Sequence, residues 1–369
     1  MTKKSENSPE KRGDRRGFIR GAGVSAAVLG AGLATPAISQ NLKEWTVVSA
    51  FGKTGLLGRA LRDICSAVSS ATDERLIFRI YDAGQLVAPY KVLDAVSKGE
   101  AQMGFGAPYY WETKVPALRF LAAQPFGMTG MELNAWLYHG DGLQLTNRIY
   151  NALDVKFLPL GNTGNQMGGW FNKAIDSADD LKGLRFRMPG LGGEILKSFG
   201  TEVKSLPGSE VQKNMTAGLL DGTEWIGPAA DLAAGFYKLA KYYYYPGWHE
   251  PGTLLDGMIN LGEWEGLTAD DRRIITRLSA ASNYSLLNRF SVSNGYAMET
   301  LLSAHRVDLR AFPDNLLTVL RRRTDEMLPE LAHQEKASRV LYDEMLRFRN
   351  LQGAWSHFGD GSFVRARQL

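Results

Sequence analysis

The sequence predicts an α/β protein built from two similar lobes. Strand-like and helix-like segments alternate along the chain, the alternation restarts at "VKFLPLG" near residue 155, and long helical stretches close the sequence. The 369 residues suffice for two domains at roughly 100–200 residues each. With 44% hydrophobic and 22% charged residues, the chain is globular and not disordered.

Residues 1–39 read as an export address. Arg15 and Arg16, followed by Phe18, Ile19 and Arg20, match a bacterial twin-arginine signal. The apolar stretch behind them is too short and too glycine-rich for a membrane span. Ala37 and Ser39 fit a small-residue cleavage site, which makes Gln40 the mature N-terminus. "GAGVSAAVLG" superficially resembles a nucleotide-binding loop, but it follows no strand. The mature protein is therefore expected in the periplasm.

In the body, "EWTVVSAFG" alternates as a strand does. Leu57, Leu61, Ile64 and Val68 then share one side of a helix, and "RLIFRIYDAGQL" is the next strand. "PYKVLDAVSKGE" opens a helix on Pro89 and closes it at Gly99. "AQMGFGAPYYW" is a strand running into an aromatic loop. This order predicts a largely parallel sheet. The second unit runs "VKFLPLG", "MGGWFNK", "LRFRMPG", a helix at about 192–199, "TEVKSLP", a helix at 209–217, and "DGTEWIGP". "YYYY" at 242–245 reads as a packed strand, and "TLLDGMINLGEW" as another. A long helix follows Thr268, whose spacing to Asp271 resembles a capping box. Residues 314–351 are helical and charged on one side. In open α/β sheets ligands bind beyond the carboxyl ends of strands, where "APYYW", "PGLGG" and "EWIGP" fall.

Charge and motif content exclude several functions. Seven basic and three acidic residues lie within residues 1–39; taken from 43 and 39, they leave 36 of each in the rest. A formally neutral body does not suit nucleic acid. Cys65 alone forms no disulfide and no Cys metal cluster, and it reads as a core helix residue. His139, His249, His305, His333 and His357 show no zinc-ligand spacing, and no G-x-S-x-G elbow is present. On a strand, Arg185 and Arg187 share a face opposite Leu184, Phe186 and Met188. Taken alone, such an arginine is more often a surface ion-pair residue than a ligand clamp. Glu224 and Glu250 are more often surface acids. Glu250 nonetheless follows "YYYYPGWH", where aromatic crowding makes an uncompensated charge costly.

At "DLKGLRFRMPG", "DGTEWIGP", "GWHEPG" and "KGEAQMGFGAPYYW" the chain resembles TRAP transporter solute-binding proteins, over nearly all of residues 43–350. Within that family it is most similar to the branch that binds 2-oxo acids and lactate with a metal ion. The resemblance implies two α/β lobes around a ligand cleft, joined by crossing strands and a long helix. On that pattern 40–162 is lobe I and 163–250 is lobe II. Residues 251–350 hold the crossover strand, hinge helix and C-terminal helices, and 351–369 form a tail. The second arginine of "RFR", Arg187, would grip the substrate carboxylate, while Arg185 varies. Gly190, Gly192 and Gly193 would let backbone approach the ligand. Gln166 and Trp225 would touch substrate. Glu224, Glu250 and the Trp225 carbonyl would hold Na⁺ or Ca²⁺, with the Gln166 amide beside them. Tyr110 would line the cleft from the first lobe, with Tyr109 and Trp111 nearby. "MPGLGG" replaces an Asn-containing loop, which speaks against a sugar acid. Partners implied are a small organic acid and the membrane permease subunits, and the C-terminal helix either pairs in a homodimer or packs on its own lobe. A secreted metal-dependent enzyme and a periplasmic ligand sensor are the competing readings.

Overall fold

Alternation in β1 (Lys43–Ser49) sends Trp45 and Val47 to one face of a sheet and Val48 to the other, into two separate apolar clusters. This computed structural model describes residues 42–369, so the expected export signal lies outside the described residues. Helix α1 (Gly55–Ala71) buries Leu57, Leu61, Ile64, Cys65 and Val68, and leads to β2 (Leu76–Tyr81). Helix α2 (Val92–Ser97) then leads to β3 (Met103–Gly106). Both β2 and β3 pair with β1 in parallel. A turn at Pro108–Trp111 follows, and then α3 (Leu118–Ala122), α4 (Gly130–His139) and α5 (Gly142–Asn151). These three helices are additional to the elements expected from the sequence. A full capping box at Thr129 and Glu132 starts α4.

The chain leaves this lobe through β4 (Val155–Asn162). The second sheet takes β5 (Gly169–Phe171), β6 (Arg185–Arg187), β7 (Glu202–Lys204), β8 (Gly222–Thr223) and β9 (Tyr242–Tyr245). Helices α6 (Gly190–Lys197), α7 (Gly208–Thr216) and α8 (Pro228–Ala234) lie between them in sequence. The return strand β10 (Leu254–Asn260) inserts between β3 and β4, antiparallel to both. The first sheet thus has the order β2-β1-β3-β10-β4 and is mixed, not largely parallel. The reason is topological: a chain that goes out to a second lobe and comes back must return in the opposite direction. After α9 (Leu261–Glu265), helix α10 (Ala269–Ser303) extends for 35 residues, about 52 Å at the helical rise. Thr268 caps it by accepting the Asp271 N–H at 3.1 Å. Its Ser279 and Ser282 hydroxyls donate to the Pro159 and Leu160 carbonyls in the first lobe, and its Leu301 packs in an apolar cluster of the second. Strand β11 (Asp308–Ala311) completes the order β11-β9-β5-β8-β6-β7. Helices α11 (Asp314–His333), α12 (Lys336–Ser356) and α13 (Ser362–Ala366) close the chain.

Asp256 on β10 is buried and accepts from Trp111 Nε1 at 2.8 Å and Tyr150 Oη at 2.5 Å. It anchors the aromatic turn that follows β3. Burial pushes its carboxyl up to about 6, and the two donors only partly offset this. Folding therefore favours the protonated form. The contribution is fully present below the unfolded value near 3.8 and is lost as pH rises through about 6. At 1.36 kcal/mol per pH unit the window is worth about 3 kcal/mol. Asp256→Asn should lose stability relative to the wild type at pH 4 and recover most of that difference by pH 7.5. A pH series of urea unfolding checks it; a pH-independent difference would contradict the assignment.

Candidate functional site

The two arginines of β6 share a face as expected, but they do different things. Arg185 sits at the rim, paired with Asp221 at 2.5 Å. Arg187 is 2% exposed. Its Nε and Nη2 donate to the Leu206 carbonyl at 3.1 and 3.0 Å, and Nη1 donates to Glu224 Oε1. By donor count an N–H remains on each Nη, and a guanidinium can offer such donors to a carboxylate. Beneath the guanidinium lies the Trp225 ring, its centroid 5.4 Å from Cζ. That ring fits only because residue 208 is glycine; a Cβ there would lie 2.0 Å from Trp225 Cη2.

Strand pairing explains why Arg187 and Glu224 meet. β6 and β8 are parallel neighbours, and the Glu224 N–H donates to the Arg187 carbonyl at 3.1 Å. Both side chains therefore emerge at the carboxyl ends of adjacent parallel strands, where ligands of α/β sheets bind. Gln166 and Glu250 arrive on the two segments that cross between the lobes, joined by the Gln166 N–H to the Glu250 carbonyl at 3.2 Å. Gln166 Nε2 donates to Glu250 Oε2 at 2.8 Å and to Thr253 Oγ1 at 2.9 Å. The Thr253 hydroxyl donates to the same carboxylate. Gln166 Oε1 has no partner among the described residues.

Gln166, Glu224 and Glu250 are all 5% exposed or less. One guanidinium faces two carboxylates, which leaves one buried negative charge unbalanced. Burial pushes Glu224 up to about 7 despite Arg187, and pushes Glu250 up to about 7 with Glu224 as the second cause. One donor atom each from Glu224, His249 and Glu250 lie within 4.8 Å of one another. Two carboxylates and an unpartnered amide oxygen make a donor set that suits a hard cation, so these residues fit a metal ion.

The sequence profile of bacterial extracellular solute-binding proteins of family 7 matches residues 49–335. The chain belongs to this family. It is 36% identical over 300 residues, 81% of this chain and 82% of the other, to a monocarboxylate 2-oxoacid-binding periplasmic protein of Nostoc sp.. A TRAP periplasmic solute-binding protein from Pseudoalteromonas atlantica, with bound sodium and pyruvate, superposes with a TM-score of 0.85 at 34% identity. A counterpart from Colwellia psychrerythraea, with bound calcium and pyruvate, does so with a TM-score of 0.85 at 32% identity. Each covers 88% of this chain and 99% of its own. The chain is thus a two-lobed solute-binding protein that works outside the cytoplasm.

In this solute-binding protein all five expected residues, Gln166, Arg187, Glu224, Trp225 and Glu250, converge on one place. Glu224, expected beside a cation, pairs directly with Arg187. The glycines after Arg187 also lie in close protein packing. A Cβ on Gly192 would lie 2.7 Å from His249 Cβ, and one on Gly193 2.4 Å from the Met188 carbonyl oxygen. Both glycines allow protein to pack on protein. Tyr109 of the first lobe packs near Gly190 of the second, and Leu191 joins the first lobe's core. Tyr110 is buried, and its phenol is pushed up mainly by that burial, with Arg187 pulling it down.

Two residues escaped the sequence reading. Asp231 on α8 accepts from the Ile226 and Gly227 N–H groups, Trp170 Nε1 and Tyr243 Oη, and so fixes the loop that carries Glu224 and Trp225. No local pattern marks it. His249 is 1% exposed with its Nε2 3.6 Å from Glu224 Oε2. Its position beside Glu250 in "GWHEPG" was the available signal.

Proposed function

We propose that this protein is the receptor of a TRAP transporter for a small 2-oxo or 2-hydroxy monocarboxylate such as pyruvate or lactate. The observation that carries the reading is the buried Arg187 between Trp225 and Glu224, with a second carboxylate, Glu250, in the same enclosure. The free Nη1 and Nη2 hydrogens of Arg187 hold the ligand's carboxylate, and the Trp225 ring supports the guanidinium plane. Glu224, Glu250 and the Trp225 carbonyl hold Na⁺ or Ca²⁺. Gln166 is oriented by Glu250 and Thr253, so its Oε1 is free for that cation and its amide borders the substrate. A cation bound there supplies positive charge to the acid's 2-oxo or 2-hydroxy oxygen. With a divalent cation and a monocarboxylate, the formal charges of Arg187, Glu224 and Glu250 sum with them to zero. A dicarboxylate would leave a buried negative charge, which is costly.

The protein releases its ligand unchanged to membrane permease subunits. In this reading Glu224 and Glu250 are committed to Arg187 and to the cation, which leaves neither as a free acid or base for catalysis. Native mass spectrometry of protein incubated with pyruvate and calcium should give a complex whose added mass is one intact acid plus cation. Appearance of a converted product would favour a metal-dependent enzyme instead.

A homodimer is carried by a separate observation. Leu351, Trp355, Phe358 and Phe363 are all more than 60% exposed along α12 and the segment after it. A second copy would cover these side chains. Sedimentation should show a dimer that Trp355→Glu with Phe358→Glu converts to monomer; a wild type monomeric at 100-fold dilution steps throughout would refute it.

A further inference from the structure

The loop 224–227 carries Glu224 and Trp225 and runs into α8. Beyond its pairing with β6, it is held at three points. The Met167 N–H, next to Gln166, donates to the Ile226 carbonyl at 3.2 Å. The Ile226 and Gly227 N–H groups donate to Asp231 on α8. The third hold comes from α10, where Asn294 Oδ1 accepts from the Ala229 N–H at 3.0 Å. The first N–H groups of a helix have no intrahelical partner, and an N-cap side chain normally accepts from the second or third helical residue. The N-cap of α8 is Gly227, which has no side chain, and Pro228 at the first position has no N–H. Asn294 does the N-cap's work from another helix, 65 residues along the chain. Gly227 is extended, with φ of −177°, so its backbone does not call for glycine. Space does: a Cβ there would lie 3.2 Å from Asn294 Nδ2.

We infer that Asn294 is a positioning residue for the ligand site: it ties α10 to the loop that carries Glu224 and Trp225, so that the loop keeps its place on that helix as the lobes open and close. This rests on the receptor reading above and adds a residue that touches neither the acid nor the cation. Its place on α10 suits the role. Phe290, one turn before it, packs in an apolar cluster of the first lobe, and Leu301, two turns after it, packs in one of the second. Asn294 thus stands where the helix passes from one lobe to the other. A cap supplied from within α8 would satisfy the same N–H, but it would hold the helix end alone. A cap supplied by α10 also fixes the distance between α10 and the loop, and coupling between parts of a protein travels through such contacts.

The test compares Asn294→Ala and Asn294→Asp with the unmutated protein. Alanine deletes the acceptor and is the best helix former, so α10 itself is preserved. Aspartate keeps an acceptor at the same reach. Amide hydrogen exchange on ligand-free protein should show Ile226, Gly227 and Ala229 exchanging roughly tenfold faster in Asn294→Ala, with β1 unchanged. Calorimetry with calcium present should show pyruvate bound roughly three- to thirtyfold more weakly by Asn294→Ala. Asn294→Asp should return both readings to within about threefold of the unmutated protein. Unchanged exchange in the loop would overturn the tie. Faster exchange with unchanged pyruvate affinity would leave Asn294 a cap of α8 and overturn its role at the ligand site. Failure of the unmutated protein to bind pyruvate would refute the receptor reading and the ligand role with it, while the exchange comparison would still decide the tie.

Discussion

Arg187→Lys lowers the affinity for pyruvate by roughly ten- to hundredfold, while the protein stays folded. Lysine keeps the positive charge against Glu224, so no buried carboxylate is stranded. It loses the planar fork, and with it the second donor nitrogen and the bonds to the Leu206 carbonyl. A charge-assisted hydrogen bond is worth about 1.5–3 kcal/mol, which converts to that range of affinity. Truncation to alanine would be a poorer experiment, because removing one partner of a buried pair costs about 3–5 kcal/mol of stability. Calorimetry gives the affinity and thermal unfolding the control. Retained pyruvate affinity in a folded Arg187→Lys variant would remove Arg187 from the ligand contacts.

Glu250→Gln has effects of opposite sign in two states. It removes one of two carboxylates that share a buried space with a single guanidinium. In cation-free protein the variant should unfold later than the wild type at pH 8, because an uncompensated buried charge is gone. With cation present the order reverses, since the variant binds calcium at least about tenfold more weakly through loss of a charge-assisted contact and gains less stability by linkage. Thermal unfolding with chelator and with calcium reads both states. An identical order in the two states would show that Glu250 answers to the protein and not to a cation.

The sequence made some of this readable for definite reasons. Arg187 and Glu224 stand at strand ends, where period-two alternation and glycine or proline breaks place a side chain within a residue or two, while Glu250 lies in the turn between β9 and β10. The capping pair Thr268 and Asp271 was legible because its bond is local. Mixed pairing in the first sheet was not, because β10 lies about 150 residues from β3, its neighbour, and nothing local records direction. Asp231 was invisible for a similar reason: its partners Trp170 and Tyr243 come from two other strands. For the glycines after Arg187, sequence gives permissiveness without naming the neighbour. The neighbour of Gly192 is His249, more than 50 residues away.

Calorimetric titration of pyruvate and of propionate into chelator-treated protein, with and without restored calcium, tests the central claim most directly. The claim is that Arg187 and a cation held by Glu224 and Glu250 grip one small acid from two sides. The expected result is tight pyruvate binding with calcium, at least about tenfold weaker binding without it, and weak propionate binding in both conditions because propionate lacks the 2-oxo oxygen. Equal pyruvate affinity with and without cation, or propionate bound as tightly as pyruvate, would contradict the account.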